Sequence, residues 1–179
     1  MRELSLHIMD IAENSINAGA DWINILVVED KRKNILRIVI TDNGEGMSGD
    51  FLQNVTNPFV TTRKTRRVGL GLSLLKEAAV RCNGRFQINS EPGKGSTVEV
   101  VFEYNHIDRS PLGDMPGSIT VLIFGNPKVE LSYCHIIDGK EFSFDTRDFK
   151  SPEISFQDPE TIKNLTFLIR DGLKSLVSD

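Results

Sequence analysis

The sequence predicts an α/β fold, in which helices and strands alternate along the chain. Apolar residues recur at helical spacing over residues 3–18 and again over residues 161–176. Between them lie runs rich in valine and isoleucine, such as residues 35–40, which are typical of strands. Glycine-containing turns separate these segments. At 179 residues the chain is long enough to bury a substantial core, as one large domain or as one domain with an extension.

The first predicted elements are a helix, a hairpin and a short second helix. Apolar residues on one helical face, followed by Gly19 as a C-terminal cap, predict a helix over residues 3–18. The β-branched runs at residues 22–28 and 35–40 flank a charged turn, which predicts a β-hairpin. Residues 49–55 then predict a short helix that ends before an Asn-Pro pair.

The middle of the chain predicts a basic loop, a helix and a second pair of strands. Residues 61–67 carry four positive charges and little apolar content, which indicates a loop. Leucines and alanines at helical spacing predict a helix from residue 70 to about residue 83. Strands follow at residues 85–90 and 96–104, joined by a glycine-rich turn.

The composition changes at about residue 105, where we place a boundary. Residues 1–104 form one predicted domain, and residues 105–179 form a small α/β extension. In the extension, Asp114 is suited to cap a helix that runs to about Phe124. Apolar residues also alternate in this segment, so a strand stays open as an alternative.

The rest of the extension predicts a hairpin and a closing helix. Residues 129–137 and 141–145 flank Asp138-Gly139, a favoured two-residue hairpin turn. Residues 161–176 place their leucines and isoleucines on one helical face.

Charge and cysteine content exclude several classes of protein. The formal net charge of −4 argues against a protein that coats nucleic acid, so we expect no nucleic-acid partner. Cys82 and Cys134 lack the spacing of a zinc site and indicate a reduced, cytoplasmic protein. Every apolar run falls short of the ~20 residues that span a bilayer, and we therefore expect no membrane association.

The first predicted helix carries a polar face whose side chains are suited to binding or catalysis. Asp10, Asn14 and Asn17 share this face because they are spaced by four and three residues. The amide oxygen of Asn14 is suited to ligate a magnesium ion that also holds triphosphate oxygens. The carboxylate of Asp10 is suited to orient or deprotonate an attacking water or hydroxyl. The alternative is that these residues form the exposed side of a surface helix.

The turn after the second strand predicts a base-binding element. Gly44 and Gly46 allow the backbone to pass close to a planar ring, and Asp42 can accept a hydrogen bond from an exocyclic amine such as that of adenine. The alternative is a plain hairpin turn, since Asn-Gly is a common turn pair.

A glycine pair predicts phosphate binding at the start of a helix. Gly69 and Gly71 open the helix that begins near residue 70, and free N–H groups together with the helix dipole favour phosphate there. Four basic residues just before it are suited to cover the phosphate charge: Arg63, Lys64, Arg66 and Arg67. The alternative is a solvated basic loop.

These segments together resemble the ATP-binding domain of the GHKL superfamily, which contains gyrase, the ninety-kilodalton chaperones, sensor histidine kinases and MutL. The resemblance covers about residues 1–104. It implies a Bergerat-type two-layer α/β sandwich, with a mixed sheet, helices on one face, and ATP and Mg²⁺ between the helices and a lid. Residues 13–20 resemble the asparagine box, which implies that Asn14 binds Mg²⁺, and Asp10 falls where many members carry a catalytic glutamate. Residues 42–47 are similar to the first glycine box, which implies that Asp42 contacts adenine N6.

Three further motifs resemble those of histidine kinases. Residues 57–63 are similar to the phenylalanine box and ATP lid, residues 68–73 to the second glycine box, and residues 91–97 to the final hairpin. In that hairpin a hydroxyl helps the aspartate to hold adenine, and either Ser96 or Thr97 fits the role. The resemblance implies nucleotide contacts for Asn14, Asn17, Asp42, Gly44, Gly46, Met47, Phe59, Thr62, Arg63, Lys64, Arg67, Gly69, Leu70, Gly71, Leu72, Ser96 and Thr97.

The sequence also departs from the family pattern. Asp10 is one methylene shorter than glutamate, so a water beside it is less well aligned and we expect slow hydrolysis. Arg67 stands where kinases often have a lid glycine. Because the chain begins at the asparagine-box helix, we expect neither the dimerisation helices of a sensor kinase nor the transducer domain of gyrase or MutL.

The resemblance implies a protein kinase that acts in trans on a protein substrate or regulatory partner, with serine or histidine as acceptor. Two alternatives stay open: a non-catalytic binding module whose lid is ordered by ATP, and a slow MutL-like ATPase coupled to conformational change. A weaker alternative is autophosphorylation, for which His7, His106 and His135 are the only histidines. The sequence does not define the oligomeric state.

Overall fold

The computed structural model describes residues 3–54, 70–151 and 154–178. A six-stranded mixed sheet is covered on one face by helices, as the α/β two-layer prediction requires. Its helices are α1 (Leu4–Asn17), α2 (Gly49–Asn54), α3 (Leu70–Arg81), α4 (Met115–Gly125) and α5 (Pro159–Val177). Its strands are β1 (Trp22–Asp30), β2 (Ile35–Asp42), β3 (Arg85–Glu91), β4 (Gly95–Glu103), β5 (Glu130–Ile137) and β6 (Lys140–Asp145), followed by a 3₁₀ turn at Thr146–Phe149.

The predicted helices and strands are confirmed within the described part of the chain. The segment after residue 114, for which helix and strand were both open, is the helix α4, and the Asp114 carboxylate caps it by accepting a hydrogen bond from Gly117 N at 3.1 Å. The predicted basic loop at 61–67 lies outside the described residues. None of the helices in the described ranges combines the length and apolar character that crossing a bilayer requires.

The strand order places the C-terminal extension in the same sheet as the first hundred residues. The order is β3-β4-β2-β1-β5-β6, and every neighbouring pair is antiparallel except β1 and β5, which are parallel. The boundary predicted at residue 105 therefore falls between two parts of one sheet. As a division into domains it stays a prediction.

The core lies between one face of the sheet and the helices. Ile25 is level with Ile40 on one side and Tyr133 on the other, and all three are at most 1% exposed. Buried and half-buried residues alternate along β1, β2 and β5, so every second residue of these strands lies on the same buried face. Apolar residues of α1, α3, α4 and α5 cover that face, and each large side chain so buried contributes about 1.5–3 kcal/mol.

A buried polar network connects the extension to β1 at the end of the sheet opposite Asp42. His135 Nε2 donates to Glu29 Oε1 at 2.8 Å, and the Tyr133 hydroxyl donates to His135 Nδ1 at 2.8 Å. Burial raises the pKa of Glu29, but hydrogen bonds from His135 and Tyr104 outweigh it, so the pKa lies below its ordinary value. Burial also raises the pKa of the Tyr133 phenol. Ionised Glu29 therefore helps to hold β5 beside β1.

We expect Glu29→Gln to lower the free energy of unfolding at neutral pH by about 1.5–3 kcal/mol, because a charge-assisted hydrogen bond is lost. The pKa of Glu29 is lower in the folded protein, so its contribution is complete above the ordinary value of 4.5 and declines as the pH falls further. Urea unfolding at pH 7 and at acidic pH measures both effects. The exposed Glu77→Gln serves as the control. A Glu29→Gln loss that stays the same at both pH values would contradict the ionic role.

Candidate functional site

Three segments that are distant in sequence meet at one end of the sheet. Asp42, at the end of β2, contacts Ser15 of α1. Asp10, one turn earlier on α1, lies against Gly71 at the start of α3. The β3–β4 hairpin closes the third side, since Gly93 N donates to Glu45 O at 2.7 Å. The polar face of α1, the glycine turn and the start of α3 thus form one continuous site.

Asp42 is a buried carboxylate with both oxygens held by the protein. Oδ2 accepts a hydrogen bond from Ser15 Oγ at 2.7 Å, and Oδ1 accepts one from Gly44 N at 2.9 Å. The residue is only 8% exposed. Hydrogen bonds to both oxygens fix the plane of the carboxylate, while each oxygen keeps a lone pair for a further donor.

The turn after Asp42 is clamped by backbone hydrogen bonds from two sides. Glu45 N donates to Ala18 O at the end of α1 at 2.9 Å, and Met47 N donates to Ser90 Oγ on β3 at 2.8 Å. Gly46 has φ +68°, and a Cβ there would lie 2.0 Å from Glu91 O. The positive φ and the close packing against neighbouring backbone both require glycine at this position.

Asn43 ties the same turn to the start of β1. Its Oδ1 accepts hydrogen bonds from the backbone N of Asp21 and of Trp22, at 3.1 and 3.0 Å. Its Nδ2 donates to Asp21 Oδ1 at 2.6 Å. The side chain thus orders the chain between α1 and β1, beside the candidate site.

The pairing of β2 with β4 distinguishes the two candidate hydroxyls of the final hairpin. Ser96 is level with Asp42, so both lie on the face of the sheet that the helices cover. Thr97 is level with Thr41 and donates to its hydroxyl at 3.3 Å, on the opposite face. Of the two alternatives, the geometry favours Ser96, whose hydroxyl lies 2.9 Å from that of Ser90.

The polar face of α1 is directed toward α3. A Cβ on Gly71 would lie 1.6 Å from Asp10 Oδ2, which shows how closely the carboxylate approaches the first turn of α3. Asn14 is half-buried one turn further along α1. Asn17 is exposed, and its Nδ2 donates back to Glu13 O at 2.7 Å, so this amide is engaged by its own helix.

A buried histidine lies one turn before Asp10 on α1. His7 is 3% exposed, and its Nδ1 has no hydrogen-bond partner among the residues that the structure describes. Burial lowers the pKa of this imidazole, which favours its neutral form.

Several of the predicted nucleotide contacts lie outside the described residues: Phe59, Thr62, Arg63, Lys64, Arg67 and Gly69. Leu70 begins α3, and Leu72 packs against the core as a partly buried residue. Met47 is half-buried in the glycine turn. The structure therefore unites the parts of the site contributed by α1, β2, α3 and β4.

Three site residues received no role from the sequence: Ser15, Asn43 and Ser90. Ser15 follows Asn14 directly, and its apolar-face position, at the spacing of Ile8 and Ile11, marks it as directed inward. Local sequence contained no comparable signal for Asn43 or Ser90, because their partners are on other strands and turns.

We expect Gly95→Ala to destabilise the protein more than Gly93→Ala does. Both glycines have positive φ, +92° and +75°, so alanine is strained at each. Only at Gly95 would the new Cβ also meet backbone, 2.0 Å from Asp42 O, and this overlap adds about 1–3 kcal/mol. Denaturant unfolding of the two variants gives the comparison. Equal losses would contradict close packing of the hairpin on the Asp42 turn.

Comparison with known proteins shows the family to which this chain is related. Residues 2–106, more than half of the chain, match the sequence profile of the family described as Histidine kinase-, DNA gyrase B-, and HSP90-like ATPase. Sensor histidine kinase ZraS of Escherichia coli is 33% identical over 78 residues, which are 44% of this chain and 17% of that protein. Sensor-like histidine kinase SenX3 of Mycolicibacterium smegmatis is 30% identical over 95 residues, or 50% of this chain and 25% of that protein.

The fold is also that of a solved ATPase domain. The Aquifex aeolicus MutL ATPase domain, determined as a complex with ADP, superposes with a TM-score of 0.52 at 14% identity, covering 94% of this chain and 70% of that one. This chain spans a quarter or less of the length of the two curated kinases. The match over residues 2–106 nevertheless includes every segment of the site, and the protein belongs to the histidine kinase-, DNA gyrase B- and HSP90-like ATPase family.

Proposed function

We propose that the protein binds ATP with Mg²⁺ at this site and transfers the γ-phosphoryl group to a partner protein. The observation that carries the proposal is the buried Asp42 carboxylate, which Ser15 and Gly44 hold in one orientation. A carboxylate so fixed keeps a lone pair on each oxygen, which can accept a hydrogen bond from an amino group on a ligand.

Adenine fits this acceptor better than guanine does. The exocyclic amine of adenine would donate to Asp42, whereas guanine has a carbonyl oxygen at the equivalent ring position and would place two acceptors together. Ser96 lies on the same face of the sheet and is the hydroxyl suited to assist Asp42. The proposed site is therefore selective for ATP over GTP.

The phosphates would lie between α1 and the start of α3. The N–H groups of the first turn of α3 and the helix dipole favour anions there. Asn14 would hold Mg²⁺ through its amide oxygen, and the ion would neutralise triphosphate charge. The amide oxygen of Asn14 fits magnesium, which prefers hard oxygen ligands and accepts few from protein.

Asp10 is the candidate general base of the proposed reaction. Its carboxylate lies against Gly71, at the helix start where the phosphates would bind. From there it would accept the proton of an attacking hydroxyl, while phosphoryl transfer itself depends mainly on positioning and charge neutralisation.

A partner protein is the proposed acceptor, and the histidines of this chain support that choice. His7 and His135 are each 3% exposed, and both ring nitrogens of His135 are hydrogen bonded. His106 accepts a hydrogen bond from Asp108 N at 3.2 Å. The two curated relatives are named as histidine kinases, which supports a kinase role for this chain. The acceptor residue that we propose is histidine or serine. The proposed location is the cytoplasm.

Slow ATP hydrolysis is the second candidate function. The position of Asp10 favours it, because a base that reaches a hydroxyl at the α3 start could also orient a water there. A site that binds ATP without either reaction would be a binding module whose partner senses the bound nucleotide.

We expect Asn14→Ala to abolish Mg²⁺-dependent ATP binding and Asp42→Asn to weaken ATP binding about tenfold to about a hundredfold, because the amide offers an N–H₂ group where adenine needs an acceptor. Calorimetric titration with ATP, with and without Mg²⁺, measures both effects. Asn164→Ala and Asp171→Asn on the exposed side of α5 are the matched controls. Wild-type affinity in both site variants would exclude this nucleotide site.

We expect γ-labelled ATP to transfer label to a protein when the chain is incubated with extract from its source cells. Asp10→Asn should remove the transferred label while ATP binding persists, since the side chain keeps its size and loses its basicity. Label released only as free phosphate would establish the ATPase instead. Tight ATP binding with neither product would contradict the kinase and favour the binding module.

A further inference from the structure

Within residues 3–54, 70–151 and 154–178, the helices pack on one face of the sheet only, and the other face has an apolar centre. In the middle two strands, Leu26 is level with Val39, and next to it on β5 lies Cys134. One row further along the strands, Val28 is level with Ile136. All five are half-buried in the single chain. Because these pairs are adjacent in the ladder, they form one patch, which we call the open-face patch.

Opposite charges flank the open-face patch on its two sides. One row runs across all six strands in the order Arg85, Val101, Arg37, Val28, Ile136 and Glu141. On the β3 side, Arg37 and Arg85 share the single carboxylate of Glu99, at 2.9 and 3.6 Å, which leaves an excess of positive charge. On the β6 side, Glu141 is exposed, and its carboxylate accepts a hydrogen bond from the Ser143 hydroxyl.

The open face already excludes water at two polar positions. The indole Nε1 of Trp22 and the Nε of Arg37 are both buried, and neither has a hydrogen-bond partner among the described residues. Trp22 also lines a cavity of about 460 Å³ that opens on this face beside Asn24 and Ser132. A surface with buried polar atoms and a recess is suited to receive side chains of a partner.

We propose that the open face packs against the open face of a second copy of this chain, about a two-fold axis that runs along the strands between the two sheets. Such an axis reverses the strand order and keeps the height along the strands. It therefore places β1 of one copy over β2 of the other, and the β3 side of one copy over the β6 side of the other. Arg85 then meets the partner copy's glutamate at position 141, and the same pair forms twice.

The size and charge of the face favour this arrangement over its alternatives. Six strands of about eight residues, spaced about 4.8 Å apart and rising about 3.3 Å per residue, give roughly 600 Å² per copy. The total of roughly 1,200 Å² is at the low end of specific interfaces and predicts a concentration-dependent dimer. A two-fold axis that crosses the strands at the level of this row would instead place Arg85 over the same arginine of the other copy. In the favoured arrangement the helices, and the ATP site beneath them, face outward in both copies.

Charge reversal at the two row ends tests the dimer and its geometry. We expect the wild-type chain to associate as a dimer in sedimentation velocity over a series of protein concentrations. Arg85→Glu and Glu141→Arg should each weaken the dimer about tenfold or more, because each places two like-charged pairs in the interface. The double variant restores opposite charges and should regain most of the wild-type affinity. Circular dichroism and ATP binding establish that each variant is folded.

A matched charge reversal on the helix side provides the control. Lys163→Glu on the exposed surface of α5 should leave the dimer unchanged. A chain that stays monomeric at every concentration would overturn the proposal. So would a dimer that Arg85→Glu does not weaken, a double variant that fails to recover, or a monomer that binds a different protein through the open face.

Discussion

Asp42 places the main constraint on this structure, because a carboxyl group that is 8% exposed needs protein hydrogen bonds in place of those to water. Ser15 and Gly44 supply those hydrogen bonds. Since Ser15 belongs to α1 and Asp42 ends β2, these hydrogen bonds also fix the helix against the sheet. Gly46 and Gly95 then admit the β3–β4 hairpin close to the same turn. The acceptor proposed for adenine is thus a consequence of how helix, sheet and hairpin are joined.

The sheet is asymmetric, and its two faces differ in role. One face is covered by helices and contains the core and the candidate site. The C-terminal extension lengthens this arrangement, because β5 pairs with β1 and the His135–Glu29 hydrogen bond secures the pairing. The same lengthening widens the uncovered face to six strands, which is what makes the proposed dimer large enough to be specific. The C-terminal extension, to which we assign no catalytic residue, therefore contributes to the proposed dimer by adding two strands to the sheet.

Local patterns predicted the secondary structure well, since each depends on neighbours in sequence. Helical spacing, caps and turn residues predicted α1 and the hairpin at Asp138-Gly139, where φ is positive at both residues, but they left helix and strand both open for α4. The same patterns did not predict the order of the strands in the sheet. The parallel pairing of β5 with β1 joins residues more than a hundred positions apart, and nothing in the composition of either strand specifies its neighbour.

The family follows from the amino-acid sequence alone, because residues 2–106 match its sequence profile. The sequence also contains Asp10, Asn14, Asp42 and the glycines at the spacing that the proposed nucleotide site needs. Tertiary structure decided which hydroxyl faces Asp42. Ser96 and Thr97 both carry a hydroxyl. Only the register of β4 on β2 places Ser96 on the site face and Thr97 on the open face. It likewise decided that Ser15 holds Asp42, because a hydrogen bond between distant segments exists only once the chain has brought both donor and acceptor into the same buried space.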